Sequence, residues 1–195
     1  MSFTETLVSA DEKILLAING NHTPFLDGMM YYLSEKWILI PVYLLLIYFL
    51  KKNYGWKFTG YVLIFALVMV GLSDVISSYL FKNTISRLRP SHEPGIQEQL
   101  HYVYNYRGGE YGFYSSHASN MTALALYCGF FLKQKVRYYS IFAFIMVFVI
   151  CLSRVYLGVH YPSDILAGCF AGTVISFVTI LVFKNYITPK IQPAR

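Results

Sequence analysis

The segment of residues 153–164 carries an arginine, a histidine and an aspartate between two long apolar runs: Arg154, His160 and Asp164. Ionisable side chains beside such runs are costly unless they face a cavity or each other, so the cluster is a candidate functional site. His160 and Asp164 are four residues apart, and a helix beginning near His160 would place them on one face. The carboxylate could then orient one ring nitrogen and leave the other as a nucleophile, while Arg154 would offer a planar cation to phosphate. A helix boundary with snorkelling polar side chains is the alternative interpretation.

The composition predicts a membrane protein. Hydrophobic residues make up 56% of the 195 residues and charged residues only 13%, with a mean hydropathy of +0.46. We therefore expect an all-α, polytopic membrane helical bundle that forms a single membrane-embedded domain over residues 1–195. The net charge of +6 relates to topology and anionic headgroups, and no nucleic-acid-binding motif is present. The cysteines lie in apolar runs without disulfide or metal-ligand spacing: Cys128, Cys151 and Cys169.

Five apolar segments have the pattern of membrane-spanning helices: residues 37–50, 58–81, 116–132, 138–153 and 165–183. Residues 14–33 contain apolar clusters broken by polar residues and a proline. They predict short amphipathic helices at the membrane interface, with a further distorted span as the alternative. We therefore predict five to six transmembrane helices with N-terminal interfacial helices. Gly168 and Gly172 have the small-xxx-small spacing that lets another helix approach closely.

The connection of residues 82–114 differs from the rest of the chain because it is polar and rich in glycine, proline and tyrosine. Loops of this length are uncommon unless they are functional or disordered. Five tyrosines favour an ordered loop at the membrane interface, where they would form an aromatic belt: Tyr102, Tyr104, Tyr106, Tyr111 and Tyr114.

The ends of the predicted spans place the polar segments on one membrane face. With five spans, the second ends at Lys82, the third begins near His117, the fourth ends at Arg154 and the fifth begins near Asp164. The opposite face receives nine basic residues and no acidic one: Lys51, Lys52, Lys57, Lys133, Lys135, Arg137, Lys184, Lys190 and Arg195. The positive-inside rule places that basic face in the cytoplasm. We therefore expect a protein of the bacterial inner membrane with its polar cluster on the periplasmic or outer face.

Three segments, residues 82–90, 114–117 and 153–164, should meet on that face. Together they supply cations, two histidines, serines and a carboxylate. Phosphoryl transfer without a metal needs this set: cations neutralise the phosphate oxygens, one histidine attacks phosphorus and the other protonates the leaving oxygen. Ser115 and His117, near a helix N-terminus, would add backbone amide donors. Because only Asp164 supplies a carboxylate, we expect no metal and no other cofactor.

The spacing of these residues resembles the three-part signature of the type 2 phosphatidic acid phosphatase superfamily, which is related to the vanadium haloperoxidases. The first part, K-x6-R-P, is matched by Lys82, Arg89 and Pro90. The second part, P-S-G-H, is matched by Ser115 and His117, with Tyr114 and Ser116 in place of the proline and the glycine. The third part, S-R-x5-H-x3-D, is complete in Ser153, Arg154, His160 and Asp164.

The resemblance implies roles for these residues within a helical bundle. His160 would be the nucleophile, Asp164 would orient it and His117 would be the general acid. Phosphate would be held by Lys82, Arg89, Ser115, Ser116 and Arg154. The serine at position 116 bears on the backbone of the phosphate pocket, since glycine permits closer approaches than serine.

These features predict an integral membrane phosphatase that hydrolyses a lipid phosphate or diphosphate through a phosphohistidine. Undecaprenyl diphosphate is favoured, because its tail stays in the bilayer while its phosphates reach the interface, where Arg87 or Arg107 would face the second phosphate. Phosphatidylglycerophosphate, phosphatidate and lipid A are the alternative substrates. A non-catalytic lipid-phosphate binder or transporter is the alternative of another class, but binding alone does not need an aligned His160 and Asp164. The expected partners are the lipid substrate and membrane lipids.

Several polar residues have no predicted catalytic role. Arg87 is interpreted as a headgroup or loop contact, and Asp74 as one member of a hydrogen bond within the bundle. The remaining histidines are expected to be exposed and without a partner: His22, His92 and His101.

Overall fold

The computed structural model describes residues 3–187, so the predicted cytoplasmic residues Lys190 and Arg195 lie outside the described part of the chain. Its seven α-helices are α1 (Phe3–Gly20), α2 (Pro24–Ser34), α3 (Ile40–Val75), α4 (Asn83–Ile85), α5 (Ser116–Leu132), α6 (Tyr139–Tyr156) and α7 (Pro162–Val182). Within residues 3–187 there is no β-strand, and an isolated antiparallel bridge joins Leu88 to Tyr111. The predicted all-α membrane bundle is confirmed.

Three helical stretches are long and apolar enough to cross a membrane: Trp37–Ile85, Tyr139–Tyr156 and Pro162–Ile187. The first has 49 residues, which as one straight helix would measure about 73 Å, far more than the hydrocarbon thickness of a bilayer. Gly55 interrupts it with a non-helical backbone (φ 77°, ψ 171°). This break lies between the predicted spans 37–50 and 58–81, and Leu50 and Phe58 from its two sides belong to one core cluster. The count of five to six crossings stays a prediction.

The end of the second predicted span differs in detail from the sequence interpretation. Residues Ile76–Lys82 form a π-helical segment, and α4 then continues the helix to Ile85. Ser86 ends it in the left-handed conformation, with φ 50°. Lys82 therefore lies inside a helix rather than at the start of a loop, and wide π-helical turns of this kind are common at functional sites.

The N-terminal region forms two separate helices, as the broken apolar pattern of residues 14–33 predicts. Thr23 caps α2 by accepting a hydrogen bond from the Leu26 amide, and Pro24 occupies the first turn, where its missing N–H costs nothing. In α1, Leu15 is fully buried and packs in a cluster with Val155 of α6 and Ile165 of α7. The N-terminal helices therefore cover the end of the bundle at which α6 ends and α7 begins.

The closest helix packing joins α5 to α7 at the two glycines that the sequence singles out. A Cβ atom added at Gly168 would lie 2.5 Å from the carbonyl oxygen of Ser115, and one at Gly172 would lie closer still to that of Ser119. Only glycine fits these positions without moving the backbone. The predicted small-xxx-small contact is confirmed, and it sets the position of α7 beside the start of α5.

Replacing Gly172 with alanine should destabilise the bundle by about 1–3 kcal/mol, because the added methyl group overpacks a backbone contact. The measurement is thermal unfolding of the detergent-solubilised protein. Gly71→Ala in α3 is the control, since a Cβ there meets no atom within 4 Å. Equal melting temperatures for the two variants would show that this contact does not limit the packing of α7.

Candidate active site

Five of the predicted site residues line one cavity of about 410 Å³: Lys82, Arg89, Ser116, His117 and His160. The cavity lies at the end of the bundle where α5 begins and α6 ends. Its remaining wall is largely apolar, with side chains from α3 and α5 such as Val70 and Leu124. A cavity that is cationic at one side and apolar at the other fits a molecule with a phosphate and a hydrocarbon chain.

His160 is 1% exposed, and its Nδ1 atom lies 3.6 Å from Oδ2 of Asp164. The helix expected to begin near His160 is α7, which begins at Pro162, so His160 itself lies two residues before the helix. Asp164 instead lies in the first turn of α7, where Oδ2 accepts a hydrogen bond from the Tyr161 amide at 3.0 Å. Among the described residues, Nδ1 of His160 has no hydrogen-bond partner. The pair is thus aligned by a helix cap, slightly beyond hydrogen-bond distance.

Arg87 binds the other oxygen of Asp164 and is not a free headgroup contact, so that part of the sequence interpretation is wrong. Its Nη1 donates to Oδ1 of Asp164, and its Nη2 donates to Oδ2 of Asp11, both at 2.8 Å. Asp11 also accepts hydrogen bonds from the amide and the hydroxyl of Ser163. Burial opposes the charge on Arg87, but the carboxylates of Asp164 and Asp11 raise its pKa above the ordinary value.

No pattern in the sequence signals this network beyond the residue types. Asp11 and Ser163 are 152 positions apart in the chain, and neither belongs to the three-part signature. Asp11 is 7% exposed, and a buried carboxylate in a membrane protein requires a cationic partner. An acidic residue on an N-terminal helix could indicate that requirement, but not the identity of the partner.

The other cations are held around the cavity by neutral groups. Nζ of Lys82 donates to the hydroxyl of Ser116 at 2.8 Å, and Nη2 of Arg154 donates to the hydroxyl of Tyr106 at 3.0 Å. Arg89 donates from Nε to a backbone carbonyl at 3.1 Å. Arg154 is 2% exposed, and within residues 3–187 its Nε atom has no hydrogen-bond partner. A buried guanidinium with an unpaired donor is a strong indication of an anion site.

The electrostatics of the site disfavour further positive charge. Burial and the neighbouring Arg154 lower the pKa of Arg89 to about 10. Burial, followed by the charges of Arg89, Arg154 and Lys82, holds the pKa of His160 well below its ordinary value of 6.5. His160 is therefore neutral at physiological pH, the state in which an imidazole is a nucleophile. The repulsion within this cluster of like charges is relieved when an anion is bound.

Two glycines let the loop approach Arg89. Gly108 has φ +70°, and a Cβ atom there would lie 2.5 Å from Nη1 of Arg89. A Cβ at Gly112 would lie 3.1 Å from Oδ2 of Asp164 and 3.2 Å from Cγ of Arg89. The loop thus lies directly against both the cation and the carboxylate, as the expectation of an ordered loop requires.

The two neighbouring serines occupy different positions. The Ser115 hydroxyl accepts a hydrogen bond from the Ala118 amide and caps α5, and its own amide donates to the Asp164 carbonyl at 3.1 Å. Ser115 is fully buried and does not line the cavity, whereas Ser116 does. Its capping bonds fix α5 against α7, and its predicted contact with phosphate stays a prediction.

The loop tyrosines do not form a simple interfacial belt. Tyr114 is 2% exposed, and Tyr106 binds Arg154. Of the five loop tyrosines, only Tyr104, 65% exposed, has the exposure expected of a belt residue.

Asp74 accepts a hydrogen bond from Nδ2 of Asn120 at 2.8 Å, which confirms the prediction of a partner within the bundle.

The three remaining histidines are not without partners, contrary to expectation. His92 lies 3.1 Å from the Ser91 hydroxyl. His101 lies 2.9 Å from Asp27, and the ring of His22 stacks on that of His101 at 3.6 Å with an interplanar angle of 7°. Two imidazoles and a carboxylate are typical metal ligands. However, an ion must lie near the plane of each ligating ring, and two parallel stacked planes share no such position. We interpret this cluster as a contact between the N-terminal helices and the loop.

The chain belongs to the PAP2 superfamily, whose family model matches residues 61–187. It is accordingly a membrane lipid phosphatase. It is 32% identical to the lipid A 4'-phosphatase of Porphyromonas gingivalis, over 94% of this chain and 75% of that protein. It is 37% identical to the lipid A 4'-phosphatase of Bacteroides thetaiotaomicron, over 86% of this chain and 74% of that protein.

More distant matches come from one further sequence and from one solved structure. An undecaprenyl-diphosphatase of Sulfolobus acidocaldarius is 26% identical over 96% of this chain and 85% of that protein. The crystal structure of a transmembrane PAP2-type phosphatidylglycerolphosphate phosphatase from Bacillus subtilis matches with a TM-score of 0.72 and 22% identity, over 99% of this chain and 91% of that one. This structural similarity supports the predicted bundle, and the resemblance proposed from the three-part signature is confirmed.

Proposed function

We propose that this phosphatase hydrolyses a phosphate monoester of lipid A through a phosphohistidine at His160. The observation that carries the mechanism is the neutral, buried His160 beside Asp164, facing a cavity lined by Lys82 and Arg89. The substrate is favoured by the names of the two relatives at 32% and 37% identity, both lipid A 4'-phosphatases. Undecaprenyl diphosphate, the substrate favoured from the sequence alone, is less well supported because it is named only for a relative at 26% identity.

The positions of the two spare arginines also favour a monoester. A diphosphate substrate would present a second phosphate, which was expected to meet Arg87 or Arg107. Arg87 is occupied by Asp11 and Asp164, and Arg107 stacks 4.5 Å from the centre of the Tyr102 ring. Neither arginine lines the cavity. Arg154 does not line it either, but its buried Nε atom has no hydrogen-bond partner among the described residues. One phosphate can be neutralised by Lys82, Arg89 and Arg154 without recruiting Arg87 or Arg107.

The reaction proceeds in two displacements. Nε2 of neutral His160 attacks phosphorus while Asp164 stabilises the proton on Nδ1, and the bond from phosphorus to the leaving oxygen breaks as His117 donates its proton to that oxygen. Water then attacks the phosphohistidine, His117 accepts a proton from it, and inorganic phosphate leaves with His160 regenerated. The cations stabilise the charge on the three equatorial oxygens in both steps.

The same cations replace a metal ion in this mechanism. Of the carboxylates in the described chain, the cavity is lined only by Asp74, which is paired with Asn120. A magnesium ion in a phosphatase requires carboxylate ligands beside the reacting phosphate. The charge stabilisation comes instead from side chains that no chelator removes.

The distribution of basic residues favours a reaction outside the cytoplasm. The cavity lies at the end of the bundle opposite the basic turn that contains Lys133, and the positive-inside rule assigns that turn to the cytoplasm. The site would then face the periplasm from the inner membrane, with residues 1–195 acting as one domain.

The test is phosphate release by the purified protein from lipid A, undecaprenyl diphosphate, phosphatidylglycerophosphate and phosphatidate under matched detergent, with and without EDTA. We expect the highest kcat/KM for lipid A, because discrimination between substrates resides in that ratio, and no loss of activity with the chelator. A higher kcat/KM for another of these lipids would overturn the substrate. Loss with EDTA that magnesium restores would overturn the metal-free mechanism.

We expect Arg87→Met to lower kcat by about tenfold to a hundredfold with little change in KM, since a hydrogen bond to a charged group contributes about 1.5–3 kcal/mol. The reason is that Asp164 loses the ion pair that orients it, while the phosphate contacts stay. Arg107→Met is the matched control because that arginine lies outside the cavity. If Arg87 instead bound substrate phosphate directly, KM would rise and kcat would change less.

A further inference from the structure

A second cavity, of about 440 Å³, lies beyond His117. Its lining is formed by Ser34, Glu35, Trp37, Ile40, Tyr106 and His117. It shares His117 with the cavity of about 410 Å³ that is lined by Lys82, Arg89 and His160, which we call the phosphate cavity. Tyr106, which lines this second cavity, also accepts a hydrogen bond from Arg154, one of the cations predicted to hold phosphate. We call this second space the leaving-group cavity.

The position of the leaving-group cavity follows from the chemistry of the reaction. In an in-line displacement the nucleophile and the leaving oxygen lie on opposite sides of phosphorus. With His160 on one side and His117 protonating the leaving oxygen on the other, the alcohol attached to that oxygen extends past His117. The leaving-group cavity is the space that the alcohol would enter. This step rests on the proposed function.

The lining of the leaving-group cavity has the character of a sugar site. Trp37, 77% exposed, and Tyr106 present aromatic rings, which pack against the C–H face of a pyranose while leaving its hydroxyl groups at the edge. Glu35 and Ser34 supply a carboxylate acceptor and a hydroxyl group, which can pair with those hydroxyls. A volume of about 440 Å³ suits one or two sugar rings, since small-molecule pockets range from about 300 to 1,000 Å³.

A polyprenyl or diacylglycerol substrate would gain less from this lining. A polyprenyl chain has no hydroxyl groups to pair with Glu35, and a carboxylate beside hydrocarbon is unfavourable. The apolar wall for acyl or prenyl chains is provided separately by the phosphate cavity, where Val70, Met121 and Leu124 lie. The phosphate cavity would thus bind the hydrocarbon chain of the substrate, and the leaving-group cavity would bind its headgroup.

We propose that the leaving-group cavity binds the pyranose ring of a glycolipid phosphate, with Trp37 and Tyr106 packing on the ring and Glu35 accepting hydrogen bonds from its hydroxyl groups. The ring is the leaving group that His117 protonates. Because Tyr106 also binds Arg154, occupation of the sugar site fixes the guanidinium that contacts the phosphate. Glu35 and Trp37 are therefore specificity residues for the phosphorylated sugar.

The experiment compares kcat/KM for lipid A, whose leaving group is an acylated glucosamine disaccharide, with that for phosphatidate, whose leaving group is a diacylglycerol without a sugar ring. Glu35→Gln and Trp37→Ala should each lower the value for lipid A about tenfold or more and change that for phosphatidate by less than about threefold, because a site built to pair hydroxyl groups discriminates through them. Trp37→Phe, which keeps a ring, should restore most of the loss. Trp56→Ala is the matched control, since this tryptophan, 63% exposed, lies under Lys51 at the break in α3.

The outcomes separate a sugar site from a membrane anchor. A tryptophan that only anchors the protein at the membrane interface would change both substrates equally, and equal losses for Trp37→Ala and Glu35→Gln on the two lipids would overturn the inference. If the wild-type protein cleaves lipid A and the variants match it, the sugar site fails while the proposed function stands. If the wild-type protein cleaves phosphatidate and not lipid A, the proposed substrate fails, and the sugar site fails with it.

Discussion

Replacing His160 with alanine should reduce phosphate release by at least about 10⁴-fold, because removing the nucleophile of a covalent mechanism eliminates the first displacement. No other side chain that lines the phosphate cavity in the described chain combines burial, neutrality and a carboxylate partner as His160 does. The measurement is steady-state release of phosphate from lipid A by purified wild type and variant.

The controls for His160→Ala distinguish chemistry from folding. His160 is 1% exposed, so the variant leaves a small internal cavity, and a modest fall in melting temperature is expected. His92→Ala, which removes a histidine outside the cavity that lies 3.1 Å from the Ser91 hydroxyl, should keep wild-type turnover. Wild-type activity in a folded His160→Ala protein would refute the mechanism.

Arg89→Met is expected to have the second largest effect. Loss of one cation from the equatorial oxygens should lower kcat/KM by about 10²–10³-fold, as removal of one oxyanion donor does in other enzymes. The same change should also alter the pH profile. Of the three charged side chains that lower the pKa of His160, Arg89 has the largest effect, so its removal raises that pKa.

The direction of the pH dependence of activity follows from the protonation state in which His160 reacts. Neutral His160 is the nucleophile, so activity falls as pH drops through its pKa. In the wild type, the acid limb of kcat/KM that belongs to His160 should lie below pH 6.5, the ordinary value for histidine, and in Arg89→Met it should move to higher pH. Arg107→Met is the control, since Arg107 is not among the charges that lower the pKa of His160. An acid limb that stays in place in Arg89→Met would contradict this electrostatic coupling.

Much of the fold could be predicted because lipid imposes simple rules on sequence. The apolar runs, the two glycines Gly168 and Gly172, and the ordered loop all follow from length, small size and composition. The prediction of where the second span ends is less accurate, since nothing in the sequence pattern distinguishes a π-helical segment from an α-helix. Lys82 lies inside such a π-helical segment. The start of α7 lies between the two predicted positions, at Pro162, where the cap formed by Asp164 begins the helix two residues after His160.

The grouping of the motif residues at the candidate site could be predicted because their spacing is specific, whereas the side chains that hold them in place could not. Asp11, Ser163 and Tyr106 reach the site from an N-terminal helix, a helix start and a loop, and no local pattern connects them. Arg87 was interpreted wrongly for the same reason, since its partner Asp11 is 76 residues away. Long-range ion pairs of this kind depend on tertiary packing, which one sequence does not display.

The proposal of lipid A as substrate rests first on the two lipid A 4'-phosphatases to which the chain is 32% and 37% identical, and then on features that appear only in three dimensions. A hydrophobic tail and an outward site are common to every lipid considered, so undecaprenyl diphosphate was favoured on general grounds. In our proposal, the ion pairs of Arg87 and the composition of the leaving-group cavity favour a phosphorylated sugar over a polyprenyl diphosphate. Both depend on the loop containing Tyr106 and on the turn before α3, whose positions no local sequence pattern predicts.

The most direct test of the proposed mechanism is capture of the phosphoenzyme. Purified protein is mixed with radiolabelled lipid A phosphate, quenched in alkali through a single turnover, and digested for peptide analysis, since phosphohistidine survives alkali and is lost in acid. Label is expected on the peptide that contains His160, formed and lost at least as fast as turnover, and absent from His160→Ala. Release of phosphate at the normal rate with no label on His160 at any time point would contradict the mechanism.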